Sequence, residues 1–279
     1  MPKKIIRALA LIIFVLGIGG CGVALTMSSQ DSAKQTDSAE TSQSTSQAPL
    51  QVPEPSEQVL QVPVLYYHSV MLEVGNEVRM PPDQFEAQMA YLKDQGYQSI
   101  TLNQLYLAFY KGGSLPPKPF VITFDDGYVD NYTNAFPILK KYGYTATIFM
   151  VTSYIDGKGF LSWSQLKELV ASGWEIESHT TTHPYLSKVD EATLWHELKS
   201  SKDFLEEGLG QSVNFFAYPY GDYNSVVSKT VKDTGYLMAI TTQRGWANHE
   251  GDALEVKRVY CYANMGQTEF VRRLQNSNY

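Results

Sequence analysis

The chain has 279 residues, with 29 acidic against 22 basic side chains and a formal charge of −7. Its first twenty residues hold three positive charges and no acid, so without them the charge is −10, which excludes a polyanion such as nucleic acid as partner. Two cysteines, Cys21 and Cys261, leave the main body of the chain with one thiol and so without an internal disulfide.

In chain order, Lys3, Lys4 and Arg7 form a basic region ahead of an apolar run from Ala8 to Gly20. That run is short of the ~20 apolar residues needed to cross a bilayer, and residues 1–20 read as a targeting segment. Gly19-Gly20-Cys21 resembles a bacterial lipobox, in which cleavage precedes the cysteine and its thiol is acylated; a plain secretory signal is the alternative. Acyl chains on Cys21 would hold the product at the extracellular face of a bacterial membrane. Residues 21–60 are rich in Ser, Thr and Gln and then in Pro. Such a composition builds no core and reads as a disordered tether with a typical span of ~35 Å. Residues 61–279 suffice for one α/β domain, expected to act as a monomer.

The domain opens with an apolar strand, Val62 to Val70, containing His68. A polar residue at such a strand end suits chemistry, and a loop histidine with a purely structural role suits it nearly as well. Helices are predicted from Pro81 to about Gln95, with Phe85, Met89 and Leu92 on one face, and from Leu102 to Tyr110 with Thr101 as cap. Further helices are predicted over Asn134–Tyr142, after Ser162 or Ser164 through Val170, and over 190–207, 223–234 and 268–274. Between them lie strands ending at Asp126, Val151 and Ser178, then a short one from Val213, and strands at 236–241 and 254–260. This alternation indicates βαβ crossovers and a parallel sheet. The polar stretch 244–252 reads as a loop that could wall a substrate cleft. His196, inside a helix, is expected to be structural or solvent-facing.

Two stretches carry chemistry. Val121-Ile122-Thr123-Phe124 ends in Asp125-Asp126-Gly127. Adjacent acids at the end of a buried strand repel each other and resist burial, which a nearby cation would relieve, and Gly127 lets the chain turn there. An ordinary turn is the alternative. The second stretch is Gly173 to Ser178 followed by His179-Thr180-Thr181-Thr182-His183-Pro184. Pro184 and the threonines argue against a continuous helix, so the two imidazoles converge from a loop. Two histidines with a carboxylate form a set suited to Zn2+, with Co2+, Ni2+ or Fe2+ also accommodated.

Thr123-Phe124-Asp125-Asp126-Gly127, followed some fifty residues later by His179-Thr180-Thr181-Thr182-His183, resembles the polysaccharide deacetylases with NodB homology, carbohydrate esterase family 4. The resemblance runs from about Val62 to Val259. It implies a distorted (β/α) barrel of about seven parallel strands and metal-dependent removal of N-acetyl groups from an acetylated amino-sugar polymer. Carried over by motif, Asp126, His179 and His183 would hold the metal and Asp125 would be the base. His68 would lie near the site, and the Tyr220 N–H, in Pro219-Tyr220-Gly221, would steady the oxyanion. Tyr128, Trp163, Tyr185, Tyr220 and Trp246 could stack on sugar rings, although most aromatics in such a domain fill its core.

Two features depart from the family pattern. Ala217 stands where the third motif usually has an arginine that orients the base, so Asp125 is expected to be slightly more basic and less firmly held. The late Leu-x-x-His motif that supplies the general acid is missing, which leaves His68 or His249, with His68 favoured. A glycan-binding lipoprotein without activity, or a different metal hydrolase on the same barrel, are the competing readings. The polymer could be poly-β-1,6-N-acetylglucosamine, peptidoglycan or a chitin-like chain.

Overall fold

A computed structural model describes residues 60–279; residues 1–59 fall outside it, and with them the expected targeting segment, Cys21 and the tether. A short strand β1 (Gln61–Val62) leads into β2 (Val64–Tyr67). Helix α1 (Pro82–Asp94) begins with Pro82 in its first turn, where no N–H is needed, and buries Phe85, Met89 and Leu92 as the spacing predicts. After β3 (Gln98–Ser99), helix α2 (Leu102–Tyr110) starts from a reciprocal cap: Thr101 accepts from the Gln104 N–H, and the Gln104 side chain accepts from the Thr101 N–H.

Strand β4 (Pro119–Asp126) shows how the barrel is built. Phe120, Ile122 and Phe124 face outward into the helix-covered core, while Val121 faces the barrel interior. Continuing that parity turns Thr123 and Asp125 inward as well. The chain then forms a π-helical turn at Asn131–Ala135 and runs into α3 (Phe136–Tyr142), with Pro137 in the first turn. Alternating units follow: β5 (Thr147–Met150), α4 (Trp163–Ala171) capped by Ser162, β6 (Glu175–Ser178) and α5 (Glu191–Leu209) capped by Asp190. Then come β7 (Phe215–Ala217), α6 (Ser225–Asp233), β8 (Met238–Arg244), β9 (Ala247–Asn248), β10 (Val256–Tyr260) and α7 (Gly266–Arg273).

Seven strands pair in parallel in the order β2-β10-β8-β7-β6-β5-β4. The ring closes because β4 also pairs with β2, Val64 opposite Val121 through Tyr67 opposite Phe124. The seven-stranded parallel barrel implied by the resemblance is therefore present. Its interior is filled by Val64, Val121, Phe149, Phe215, Met238, Ile240 and Val256, and α2 plugs one end with Leu102, Leu105 and Phe109. Glu175 inside that end accepts from the Leu102 and Asn103 N–H groups and so caps α2 from within.

The expected substrate wall at 244–252 has a different role. It contains β9, which pairs antiparallel with β1, Val62 opposite Ala247. Ala247 is fully buried among the interior residues at the plugged end. Polarity suggested a free loop, but backbone pairing with the segment that precedes β2 ties it down.

Candidate active site

The chemistry-bearing residues come from the C-terminal ends of the barrel strands, where loops replace the ladder. At the end of β4, Asp125 keeps its inward direction, but Asp126 takes φ +73° and Gly127 φ +84°. This double left-handed turn swings the second carboxylate onto the rim beside the first. A Cβ on Gly127 would run into the Met150 thioether, so both the turn and the close approach require glycine there.

His179 and His183 follow β6 on a loop in which Thr180 (φ +72°) and His183 (φ +63°) are also left-handed. The His179 Nδ1 lies 2.7 Å from the Ala217 carbonyl, which fixes Nδ1 as the protonated nitrogen and turns Nε2 toward Asp126. His183 N–H donates to Thr180 Oγ1 at 2.9 Å. The two Nε2 atoms lie 3.2 Å apart, and Asp126 Oδ1 is 3.5 Å from that of His179 and 3.4 Å from that of His183. Among the described residues, this is the group of three potential ligands that could hold one metal ion. Four of the six left-handed non-glycine residues, Asp126, Thr180, His183 and Tyr220, lie at this mouth. Such strain persists only where surrounding structure imposes it, and it concentrates at functional sites.

Electrostatics point the same way. Burial, reinforced by the neighbouring Asp125, pushes the Asp126 carboxyl up to about 7. Burial pulls His179 down to about 3 and lowers His183 as well. Three lone-pair donors thus face one point, with no Lys or Arg among the described residues ion-paired to them, which is the donor set and charge deficit that a divalent metal fits.

Asp125 is held differently from the sequence-based expectation. Arg258, inward on β10, grips it in a fork: Nη1 to Oδ1 and Nη2 to Oδ2, both 2.8 Å. The arginine is itself anchored through Nε to the Thr241 carbonyl at 2.8 Å, and its guanidinium lies 3.6 Å from the Tyr66 ring centre. Burial alone would raise the Asp125 pKa, but the Arg258 charge and hydrogen bonds outweigh it and hold the carboxyl below its usual range. The expectation that Ala217 leaves the base looser and more basic is therefore corrected. The guanidinium arrives from another strand, and Ala217 contributes its carbonyl to His179 instead. The sequence placed Arg258 in a strand from Leu254 to Tyr260, but which face of that strand turns inward is decided by the structure, where Val256 on the same face lines the barrel interior.

Of the other singled-out residues, several converge here. His68 is half-buried beyond β2, its Nε2 3.2 Å from the Tyr66 hydroxyl and its buried Nδ1 without a partner among the described residues. Burial pulls it down to about 4 against the opposing pull of Asp125. Tyr220 stacks on Tyr185 at 4.0 Å between ring centres and meets the His183 ring edge-on at 4.5 Å. Both tyrosines are about half exposed, so the pair offers a ring face at the cleft. A Cβ on Gly221 would collide with Thr242, so this glycine lets the turn after Pro219 lie against β8. Tyr128 lies beside Asp126 and opposes the rise of its carboxyl.

Three residues do not converge. Trp163 begins α4 and packs on Phe204 and against Gly208 of α5, in the seam between two outer helices. Trp246 donates its indole N–H to the Arg273 carbonyl and is tied to the C-terminal segment. His249 accepts from the Leu60 N–H ahead of β1 and packs on Phe109 of the plugging helix. It sits at the wrong end of the barrel to replace the missing late histidine.

A family model described as polysaccharide deacetylase matches residues 112–239. A Bacillus subtilis protein described as a polysaccharide deacetylase, YxkH, is 37% identical over 215 residues, spanning 77% of this chain and 76% of that protein. The chain belongs to the polysaccharide deacetylase family. Within that family, a poly-β-1,6-N-acetyl-D-glucosamine N-deacetylase of Staphylococcus aureus is 33% identical over 185 residues, covering 61% of this chain and 63% of the relative. Among solved structures, the Streptococcus pyogenes deacetylase PplD, determined in complex with acetate, superposes with a TM-score of 0.74 at 29% identity. That match covers 77% of this chain and 99% of PplD.

Proposed function

We propose that this polysaccharide deacetylase hydrolyses N-acetyl groups from N-acetylglucosamine residues of an extracellular or cell-wall glycan, with one divalent metal, zinc by ligand preference, at Asp126, His179 and His183. The observation that carries the reading is the convergence of those three ligands with an Arg258-clamped Asp125 at one barrel mouth. When bound there, the metal would supply Lewis acidity toward the acetamide carbonyl and the attacking water.

The chain's own groups do the rest. Asp125, ionised and fixed by the arginine fork, takes a proton from the water. The Tyr220 N–H, held in a rigid Pro-Tyr-Gly turn, donates to the oxygen that gains charge. His68 would pass a proton to the departing amine. It is uncharged at rest, so that proton has to reach it within the cycle, and Asp125 holds the one taken from water. The Tyr185–Tyr220 face would stack against a pyranose ring of the polymer.

Poly-β-1,6-N-acetylglucosamine is the first substrate to test, on the strength of the staphylococcal relative; peptidoglycan and chitin-like chains are the comparators. Purified protein should release free amines from acetylated glucosamine oligomers and stop when metal is chelated. No release from any of the three polymers with metal fully loaded would leave a glycan-binding role. The departure at Ala217 that favoured that role has lost its force now that Arg258 supplies the guanidinium.

For localisation we propose removal of residues 1–20 and acylation of Cys21. Intact-mass measurement on membrane-extracted protein checks it, and a soluble product without acyl mass would refute it.

A further inference from the structure

The histidine loop holds two left-handed residues, Thr180 and His183, and its Thr181 and Thr182 N–H groups donate to a side chain instead of a backbone carbonyl. What faces them is Glu197, in the middle of α5 and only 4% exposed. One carboxylate oxygen, Oε2, accepts from both the Thr181 and Thr182 N–H groups at 2.8 Å, and Oε1 accepts from the Thr182 hydroxyl at 2.6 Å. Two consecutive backbone N–H groups on one oxygen form the kind of concavity that holds an anion. The same helix reaches the loop a second way: Ser201 Oγ lies 2.8 Å from Ser178 Oγ, which accepts from the Thr180 N–H. On the loop's other flank, the Thr152 and Ser153 N–H groups donate to the Thr180 and Thr181 carbonyls.

We infer that Glu197 is the positioning residue of the metal site, an internal anion that folds residues 180–182 around itself and so sets the separation of His179 and His183. Glu197 touches neither ligand ring. It acts on the backbone between them, and rotation of that backbone by a few tens of degrees would carry His183 Nε2 away from the point it shares with His179 and Asp126. An ordinary structural glutamate would stabilise α5 without caring about the spacing of two imidazoles. Among the described residues only the loop donates to its carboxylate oxygens, and all three donors belong to Thr181 and Thr182, two of the three residues between the ligands. The inference rests on the metal reading above.

The test compares wild type with Glu197→Gln, whose amide keeps the size but presents an N–H2 group and a weaker acceptor to the two loop N–H groups. Affinity for Co2+ and Zn2+ is measured by competition with a chromophoric chelator, and the visible absorption of the Co2+ form reports ligand geometry independently of activity. Loss of an outer partner of a metal ligand commonly lowers affinity ~10–100-fold, and that is the range expected, with a shifted Co2+ spectrum. A merely structural glutamate would lower the melting temperature of the metal-free protein while leaving affinity and spectrum of the folded protein unchanged, and that result overturns the inference. Should Glu197→Gln fail to fold, Thr182→Val, which removes only the hydroxyl contact, is read in the same way: weakened affinity with a changed spectrum supports the role, and wild-type values refute it. If wild type itself binds neither metal, the metal reading falls and this inference falls with it, whereas tight binding by both proteins removes the inference alone.

Discussion

Replacing Arg258 by methionine isolates the fork on Asp125. Both side chains are almost inaccessible, 0% for Arg258 and 3% for Asp125, so water cannot take over the two lost hydrogen bonds. An opposite charge at this range lowers a carboxyl by ~1–3 pKa units, so its removal should raise Asp125 by that amount, with burial then unopposed by the arginine. Leaving one partner of a buried pair alone costs roughly 3–5 kcal/mol of stability. The pH dependence reverses with it. In wild type the carboxyl is depressed, so its stabilisation is present above the unfolded value of ~3.9 and is lost as pH falls through the folded one. In the variant the folded value lies above the unfolded one, so the destabilisation grows as pH rises past ~4. Denaturant unfolding of the metal-free proteins at pH 5 and pH 8 should therefore show the larger deficit at pH 8. The acidic limb of the kcat/KM profile should move up by ~1–3 units and the plateau should fall, since a misdirected base can cost ~100-fold. Arg258→Lys, a point charge without the fork, should retain part of the pKa depression and little of the alignment. An acidic limb that stays put in Arg258→Met, with turnover within a factor of about three of wild type, would refute the clamp; the yardstick is the ~100-fold cost of misalignment.

Asp125→Asn should keep its metal and fold yet lose ~100-fold or more in turnover, the scale of removing a general base; retention of more than about a tenth of the wild-type rate would assign the base elsewhere. His179→Ala should bind almost no metal by elemental analysis while its circular dichroism is preserved, because about 220 residues with a filled barrel hold the fold without an ion. Unfolding on chelation at room temperature would contradict that. Metal affinity should fall about tenfold per pH unit below ~7, because the Asp126 proton must leave while His179, pulled down to about 3, is already neutral. Affinity flat between pH 5 and 7 by isothermal titration would argue against Asp126 as a ligand.

How much of this was legible beforehand depends on how local each feature is. The alternation of strand and helix followed from periods that repeat along the chain, the closed barrel from the family resemblance, and the Asp126, His179 and His183 cluster from two short motifs at strand ends. Within each element and each motif the residues that matter are neighbours in sequence, so each is legible locally. Pro82 in the first turn of α1, the Thr101 cap and the buried Phe85–Met89–Leu92 stripe were readable for the same reason.

What the sequence by itself left undecided was which distant groups the closed ring brings together. Arg258 lies 133 positions from Asp125, and nothing local links them; only closure of the barrel, with β10 beside β2 and β2 beside β4, carries the guanidinium across to the carboxylate. His249, Trp163 and Trp246 looked equivalent to His68 and Tyr185 as polar or aromatic residues near strand or helix ends. The fold sends the first three to the plugged end, a helix seam and the C-terminal segment, because backbone pairing, ring packing and an indole hydrogen bond hold them there. Glu197 was unreadable because a carboxylate in mid-helix usually faces solvent. Its meaning comes from the two loop N–H groups that the tertiary structure turns toward it.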